Sequence, residues 1–195
     1  AVLAGQDPVA FREAHLGAAP RHLGVLRLAA EKAGWGTPLP AGRARGVACC
    51  VDYGTVVANV AEVSVEGGQI RVHRVTAAVD PGLIVNPNGV AAQVEGNVVM
   101  GLSSALLEET TVVDGVLMPA NFGAYRILPM AATPEIEVVL LQGDAKPSGI
   151  GEPPIIPAAA AIGGDARARV LDVRDPEDFE RAVAETVAAH GAIDL

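Results

Sequence analysis

The sequence predicts an α+β fold in which a mixed or antiparallel sheet packs against helices. Three β-branched runs follow one another over residues 46–80 with no helical segment between them. The Gly67-Gly68 pair separates the second run from the third, and such a pair between β-branched runs is a strong hairpin signal. A long helical segment rich in small residues follows. This order favours α+β over the parallel sheet that an alternating β-α-β order would predict.

Two helices are predicted ahead of the sheet. Asp7 is a suitable N-cap and Pro8 a suitable first residue for a helix that ends at Leu16. Pro20 opens a second segment, in which apolar residues recur at helical spacing until Gly34. Residues 36–46 are predicted to be a linker into the first strand.

The elements after the sheet follow from turn residues and periodicity. Residues 80–89 are rich in Pro, Gly and Asn and predict a loop that leads into a helix over 90–109. Asp114-Gly115 predicts a small hairpin. The remaining predictions are a strand over 135–141, a short helix over 157–164, a last strand over 168–173 and a last helix over 175–191.

Composition excludes two classes of function. The net charge of −9 would repel a phosphate backbone, so we expect no nucleic-acid binding. No apolar run approaches the ~18 residues of a membrane helix, so we expect no membrane span. Cys49 and Cys50 are neighbours that would face opposite sides of a strand, and one pair cannot build a zinc or iron–sulfur site. We therefore predict that both cysteines line the core and that the chain has no metal ligands.

Glu152 is the candidate catalytic residue that the physics of the sequence offers. It lies in SGIGEPPIIP (148–157), between glycines and prolines, with isoleucines on both sides. Pro153 favours extended backbone at Glu152, and desolvation by apolar neighbours would raise the pKa of its carboxyl, which suits a general base. The alternative is that Glu152 is an acid at a helix start, where the helix dipole favours negative charge.

Four collinear stretches resemble the molybdenum hydroxylases, the xanthine dehydrogenase and aldehyde oxidase family. GIGEPP (149–154) resembles the family's GxGEP segment, and residues 72–109 resemble a stretch with a Gln-x-Glu-Gly motif ahead of a glycine-spaced helix. NFGAYRILPMAATPEIEV (121–138) is similar to the segment that follows. Residues 7–48 resemble the lead-in of the isoquinoline 1-oxidoreductase type of large subunit. The match spans residues 4–162, which identifies the chain as a member of this family.

The resemblance implies roles for four residues. Glu152 matches the catalytic glutamate, the base that takes a proton from a hydroxyl on molybdenum, so that water oxygen reaches an N-heteroaromatic or aldehyde carbon. Gln93, in QVEG (93–96), matches a glutamine that contacts the pterin, and Gly96 and Gly151 are implied to lie beside the cofactor. The implied cofactor is molybdopterin cytosine dinucleotide with molybdenum.

The family's large subunits are several times longer than this chain. The resemblance therefore implies that residues 1–164 form part of the molybdopterin-binding domain, with a C-terminal tail of unassigned role over 165–195. The implied partners are the remaining part of the molybdenum subunit, a small 2Fe–2S iron–sulfur subunit and a small-molecule substrate. Because other cofactor-binding loops of the family are missing, we expect no cofactor to bind stably to this chain alone. The alternative function is a non-catalytic remnant or assembly module that keeps the fold.

Overall fold

The computed structural model describes residue 1 and residues 4–163. The predicted strand over 168–173, the predicted helix over 175–191 and the tail from residue 165 lie outside the described residues. Within them the elements are, in order, α1 (Pro8–His15), α2 (Pro20–Lys32), β1 (Arg43–Asp52), β2 (Thr55–Glu66), β3 (Gln69–Asp80), α3 (Pro87–Leu106), β4 (Thr111–Val113), β5 (Val116–Met118), β6 (Glu135–Leu140) and α4 (Ile156–Ile162). Short 3-10 turns cover Met130–Ala132 and Pro153–Ile155.

The sheet confirms the predicted α+β fold. Its strand order is β1-β2-β3-β6. Strands β1, β2 and β3 form an antiparallel meander, and Gly67-Gly68 makes the turn between β2 and β3. Strand β6 then pairs with β3 in parallel, with Val75 opposite Ile136. Because parallel neighbours need a crossover connection, the chain passes through α3 before it returns to the sheet.

Helices cover both faces of the sheet, and strand β2 is buried over its whole first half for that reason. Val57 and Ala61 of β2 belong to a core shared with α3 and α4. Val56 and Val60 belong to a second core shared with α1 and α2. A strand buried on both faces needs no polar alternation, which accounts for its nearly continuous apolar run. The two cysteines follow the same alternation: Cys49 packs into the second core and Cys50 into the first, as predicted.

Helix starts agree with the capping signals, with one correction. The Asp7 carboxylate accepts the backbone N–H groups of Val9 and Ala10 at 2.9 Å each, which caps α1 as predicted. Helix α3 begins at Pro87, three residues earlier than predicted. The reason is that Asn86 is an N-cap, with its side chain accepting the N–H of Gly89, and Pro87 occupies the first turn.

Two boundaries at the sheet also differ from the prediction. Strand β1 begins at Arg43, inside the predicted linker, because the ladder with β2 extends to the pair Arg43 and Ser64. The Glu62 carboxylate supports this end of the ladder by accepting a hydrogen bond from Arg43 at 2.6 Å. The predicted hairpin at Asp114-Gly115 forms, and both turn residues have positive φ.

The β4–β5 hairpin and the segment after it expose an unusual amount of apolar surface. No residue of either strand is buried. Phe122 is fully exposed and Met130 is 92% exposed. Exposed apolar residues in one region indicate a contact surface rather than scattered surface residues. Among the described helices, none combines the length and apolar character that a membrane crossing requires.

Candidate functional site

Glu152 lies at the N-terminal end of a short helical unit, which packs on the sheet and on α3. Its backbone carbonyl accepts the N–H of Ile155 at 2.9 Å, which closes the 3-10 turn before α4. The expectation of an extended backbone at Glu152 is wrong. With a φ of −133° and a ψ of −33°, Glu152 begins this turn instead. Pro153 is buried in the turn. The steric bias of a following proline is thus overridden by the hydrogen bond that begins the helical unit.

The Glu152 side chain is exposed, which corrects the expectation of an apolar enclosure. Ile156 is itself 51% exposed, and the neighbouring glycines leave the carboxylate open. The alternative, an acid at a helix start, agrees with the position of Glu152, which is the N-cap residue of the 3-10 turn before α4, although its side chain makes no capping hydrogen bond. The structure therefore presents a carboxylate on a fixed backbone, with its side chain directed to a surface.

Three side chains from the sheet fix the loop that carries Glu152, and all three bind backbone carbonyls. Thr55 donates to the carbonyl of Gly149 at 2.6 Å, and Asn59 donates to that of Pro154 at 3.2 Å. Cys50 donates to the carbonyl of Pro153 at 3.5 Å, a distance suited to sulfur. Thr55 and Asn59 lie four residues apart on β2, so their side chains share one face of the sheet. These bonds fall on both sides of Glu152 and hold its backbone in place.

Helix α3 holds the same loop from the other side. Asn97 is 3% exposed, and its amide donates to the carbonyl of Ile150 at 2.8 Å. One turn later, a Cβ at Gly101 would lie 2.8 Å from the carbonyl oxygen of Ile155 and 2.8 Å from the Cβ of Ala158. Only glycine permits this approach, so Gly101 lets α3 pack against the turn that follows Glu152.

Tyr53 is a side-chain neighbour of Glu152 that the sequence analysis missed. It occupies the two-residue turn between β1 and β2, with a φ of 48°. Its Cβ lies 3.4 Å from where a Cβ on Gly149 would be, so the ring lies beside the Glu152 loop. The negative charge of Glu152 raises the pKa of the Tyr53 phenol. Both side chains are exposed, so the pair lies on an open surface.

The loop before Glu152 is fixed to the end of β3. Ser148 donates its backbone N–H to the carbonyl of Pro81 at 2.9 Å, and its hydroxyl contacts Thr55 at 2.7 Å. Asp80 is paired with Arg21 of α2 at 2.7 Å, and the hydrogen bond from Arg21 holds the pKa of the Asp80 carboxyl below its usual value. These contacts connect α2, the end of β3 and the Glu152 loop.

The predicted cofactor contacts lie on exposed surface next to this loop. Gln93 and Gly96 are exposed on α3, and a Cβ on Gly96 would meet nothing within 4 Å. Gly151 is exposed and equally open. Gln93 precedes Asn97 by one helical turn, so it lies beside the part of α3 that contacts the loop. Gln93 makes no side-chain hydrogen bond with the described residues, which leaves its amide available. The four predicted residues are therefore all exposed, and no hydrogen bond joins Gln93 to Glu152 among the described residues.

A family model described as "Molybdopterin cofactor-binding domain" matches residues 22–134. Among curated proteins, the chain is 38% identical over 161 residues to the beta subunit of isoquinoline 1-oxidoreductase from Brevundimonas diminuta, covering 80% of this chain and 21% of that protein. It is 34% identical over 185 residues to a subunit of nicotinate dehydrogenase from Pseudomonas putida, covering 83% of this chain and 15% of that protein. The chain thus spans about a fifth or less of these relatives' length.

A likeness to solved structures supports the fold. Quinoline 2-oxidoreductase from Pseudomonas putida 86 superposes with a TM-score of 0.53 at 24% identity, covering 67% of this chain and 19% of that chain. The same mixed sheet with helices on its faces is therefore found in a much larger protein.

Proposed function

Because the chain belongs to the molybdopterin cofactor-binding domain family of molybdenum hydroxylase large subunits, we propose that it supplies the catalytic base and one wall of the cofactor site in such an enzyme. The proposed reaction oxidises an N-heteroaromatic or aldehyde substrate with oxygen from water. The observation that carries the proposal is the fixed loop around Glu152, which matches the family's GxGEP segment. Relatives named for isoquinoline and nicotinate support the N-heteroaromatic class.

The residues present fit the pterin part of the cofactor. The free amide of Gln93 can donate and accept hydrogen bonds, as a pterin ring requires. Gly96 and Gly151 leave open space where side chains would otherwise stand. The charged part of the cofactor fits less well, because no Lys, Arg or His occurs between Arg74 and Arg126. We therefore propose that the phosphate groups are held by the remaining part of the molybdenum subunit.

The proposed mechanism gives this chain the proton transfer. When bound, the molybdenum cofactor would supply the redox chemistry, and water is the source of the oxygen that is transferred. A carboxylate oxygen of Glu152 takes the proton whose loss activates that oxygen, and a positioned base contributes about 10²- to 10⁴-fold in rate. The backbone anchors Thr55 and Asn59 keep the carboxylate at one place, so little reorganisation is needed at the moment of transfer. The rest of the subunit would exclude water from the exposed carboxylate.

The finer parts of the assembly are also proposals. The cofactor would be the cytosine dinucleotide form, and electrons would leave through a 2Fe–2S small subunit. Relatives that are named as subunits support an assembly of more than one chain. Residues 1–164 would form the cofactor-binding part, and residues 165–195 have no proposed role.

The test is turnover per bound molybdenum in the complete enzyme, with Glu152→Gln compared with the wild type. Gln has nearly the shape of Glu and cannot accept the proton, so we expect turnover to fall by about 10²-fold or more, with molybdenum content retained. Glu109→Gln is the matched control, because it makes the same change at an exposed position after α3. Wild-type turnover per metal in Glu152→Gln would contradict the proposed role.

A second candidate function is a non-catalytic remnant or assembly module. The observation that favours it is exposure, since Gln93, Gly96, Gly151 and Glu152 all lie on exposed surface of the described residues. Co-purification decides between the two. A catalytic part would be recovered with the remaining molybdenum subunit and with metal, and a remnant would be recovered without them.

A further inference from the structure

We propose that Asn97 is a positioning residue for Glu152, which fixes the base relative to the cofactor contact made by Gln93. The inference rests on the proposed function, because it assigns Asn97 a part in the same site. Asn97 touches neither substrate nor cofactor in this scheme and acts through the backbone of the Glu152 loop.

The first observation is the burial and bonding of Asn97. An asparagine in the middle of a helix contributes little to helix formation, because its side chain competes for backbone hydrogen bonds. Asn97 instead lies 3% exposed and donates to the carbonyl of Ile150 at 2.8 Å, two residues before Glu152. A buried polar group needs such a partner, so the bond fixes the distance between α3 and the loop.

The second observation is how the anchors are divided between elements. Thr55, Asn59 and Cys50 bind the loop from the sheet. Among the described residues, Asn97 is the α3 side chain that hydrogen-bonds this loop. Gln93 lies on the same helix, one turn earlier. Loss of Asn97 would therefore remove the side-chain hydrogen bond from α3 to the segment before Glu152, while the anchors from the sheet and the packing at Gly101 remain.

The alternative is that Asn97 only stabilises the fold. Ser103 provides a matched control on the same helix, because it is 5% exposed and its hydroxyl accepts the backbone N–H of Leu128 at 2.9 Å. Ser103→Ala also removes one buried hydrogen bond between α3 and a backbone group. That bond goes to a different segment, so a purely structural role would give Asn97 and Ser103 variants the same kind of effect.

The first measurement uses Tyr53 as a reporter of the position of Glu152 and needs no cofactor. In a Tyr125→Phe background Tyr53 is the remaining tyrosine, and its phenolate absorbance gives its pKa. We expect Asn97→Leu, which is close in shape and has no donor, to lower the pKa of Tyr53 towards the ordinary tyrosine value, because the carboxylate moves away. Ser103→Ala should leave it unchanged. Asn97→Ser, which keeps a polar group but is too short to reach Ile150, serves if Asn97→Leu does not fold.

The second measurement is turnover per bound molybdenum in the complete enzyme. We expect Asn97→Leu or Asn97→Ser to lower it roughly 10- to 100-fold, as a base displaced by about 1 Å would. Molybdenum content should stay within about twofold of wild type, since Gln93 is unchanged. Wild-type turnover per metal, or an unchanged Tyr53 pKa with only a loss of stability like that of Ser103→Ala, would overturn the proposal. Failure of the proposed function is seen separately, as full activity of Glu152→Gln.

Discussion

The turn that carries Tyr53 packs against the Glu152 loop, with the Cβ of Tyr53 3.4 Å from where a Cβ on Gly149 would lie. The contact depends on the left-handed backbone of Tyr53, which the two-residue turn between Asp52 and Thr55 requires. A bulky residue in this region of φ is uncommon and costs energy. The molecule thus keeps a strained tyrosine in the turn beside the loop that carries the candidate base.

We predict that Glu152→Gln lowers the pKa of Tyr53 in the isolated chain. The negative charge of Glu152 raises that pKa, so the protonated phenol is favoured in the folded state. This interaction is present below the ordinary tyrosine pKa of about 10 and is lost as the pH rises through the raised value. Ultraviolet titration of a Tyr125→Phe background measures it directly.

Glu108→Gln provides the control for this titration. Glu108 lies beside the other tyrosine, Tyr125, whose hydroxyl donates to it at 2.9 Å and whose pKa is raised mainly by that hydrogen bond. In the Tyr125→Phe background, Glu108→Gln should leave Tyr53 unchanged. An equal shift from both variants would show that net charge, and not the neighbouring carboxylate, sets the pKa of Tyr53.

Gln93→Ala is predicted to reduce cofactor occupancy and to leave turnover per bound molybdenum near the wild-type value. The amide would contact the pterin and take no part in proton transfer. Since Gln93 is exposed, its loss should change the free energy of unfolding by no more than about 0.5 kcal/mol. Gln69→Ala, at the exposed start of β3, is the control. Metal analysis together with turnover tests this, and full occupancy in Gln93→Ala would contradict it.

The isolated chain is predicted to bind no molybdenum cofactor stably. Its candidate contacts lie on exposed surface, and a ligand held by one wall loses much of its contact energy while the full entropic cost of binding remains. The measurement is molybdenum content after purification from a host that makes the cofactor. Equimolar metal would show that the chain forms a sufficient site by itself.

Gly101→Ala and Gly96→Ala are predicted to change stability in opposite directions, although both lie in α3. At Gly101 the new methyl group would meet Ala158 at 2.8 Å, and such overpacking costs about 1–3 kcal/mol. At Gly96 it would meet nothing within 4 Å. Alanine is favoured over glycine in a helix by about 0.5–1 kcal/mol, so Gly96→Ala should stabilise the chain. Urea unfolding of both variants measures the difference, and two changes of the same sign would contradict the packing of α3 on α4.

The elements with local signals were predictable, and the pairing between distant segments was not. The hairpin turns at Gly67-Gly68 and Asp114-Gly115 are formed as the sequence predicts, because the turn residues themselves require them. The strand over 135–141 was also predicted, but its parallel pairing with β3 has no local signal. Tertiary packing decides it, since Val138 of β6 packs against the core shared with α3 and Val139 packs against the core shared with α2.

Two of the side chains that hydrogen-bond the Glu152 loop, Asn59 and Asn97, could have been recognised from the sequence. Asn59 lies in the apolar run VVANVA (56–61), and Asn97 lies in GNVVMG (96–101). A polar side chain in a buried run must find a hydrogen-bond partner, so both positions could have been selected as anchors. The hydrogen-bond acceptors of these two side chains could not have been predicted. They are backbone carbonyls far away in the chain, and any residue type has a backbone carbonyl. The exposure of Glu152 was missed for a similar reason, since nearby isoleucines in sequence need not enclose it in space.

The parallel pairing of β3 with β6 also sets an order of events when the chain folds. The meander of β1, β2 and β3 joins neighbouring segments through short turns, so its contacts are local and form early. Strand β6 pairs with β3 only when residues 81–134 are closed into a loop. The entropic cost of closing this loop opposes the pairing until the contacts between β3 and β6 have formed. A population arrested before that step would have a native-like meander and an unpaired edge on β3, which hydrogen exchange of the β3 amides would detect.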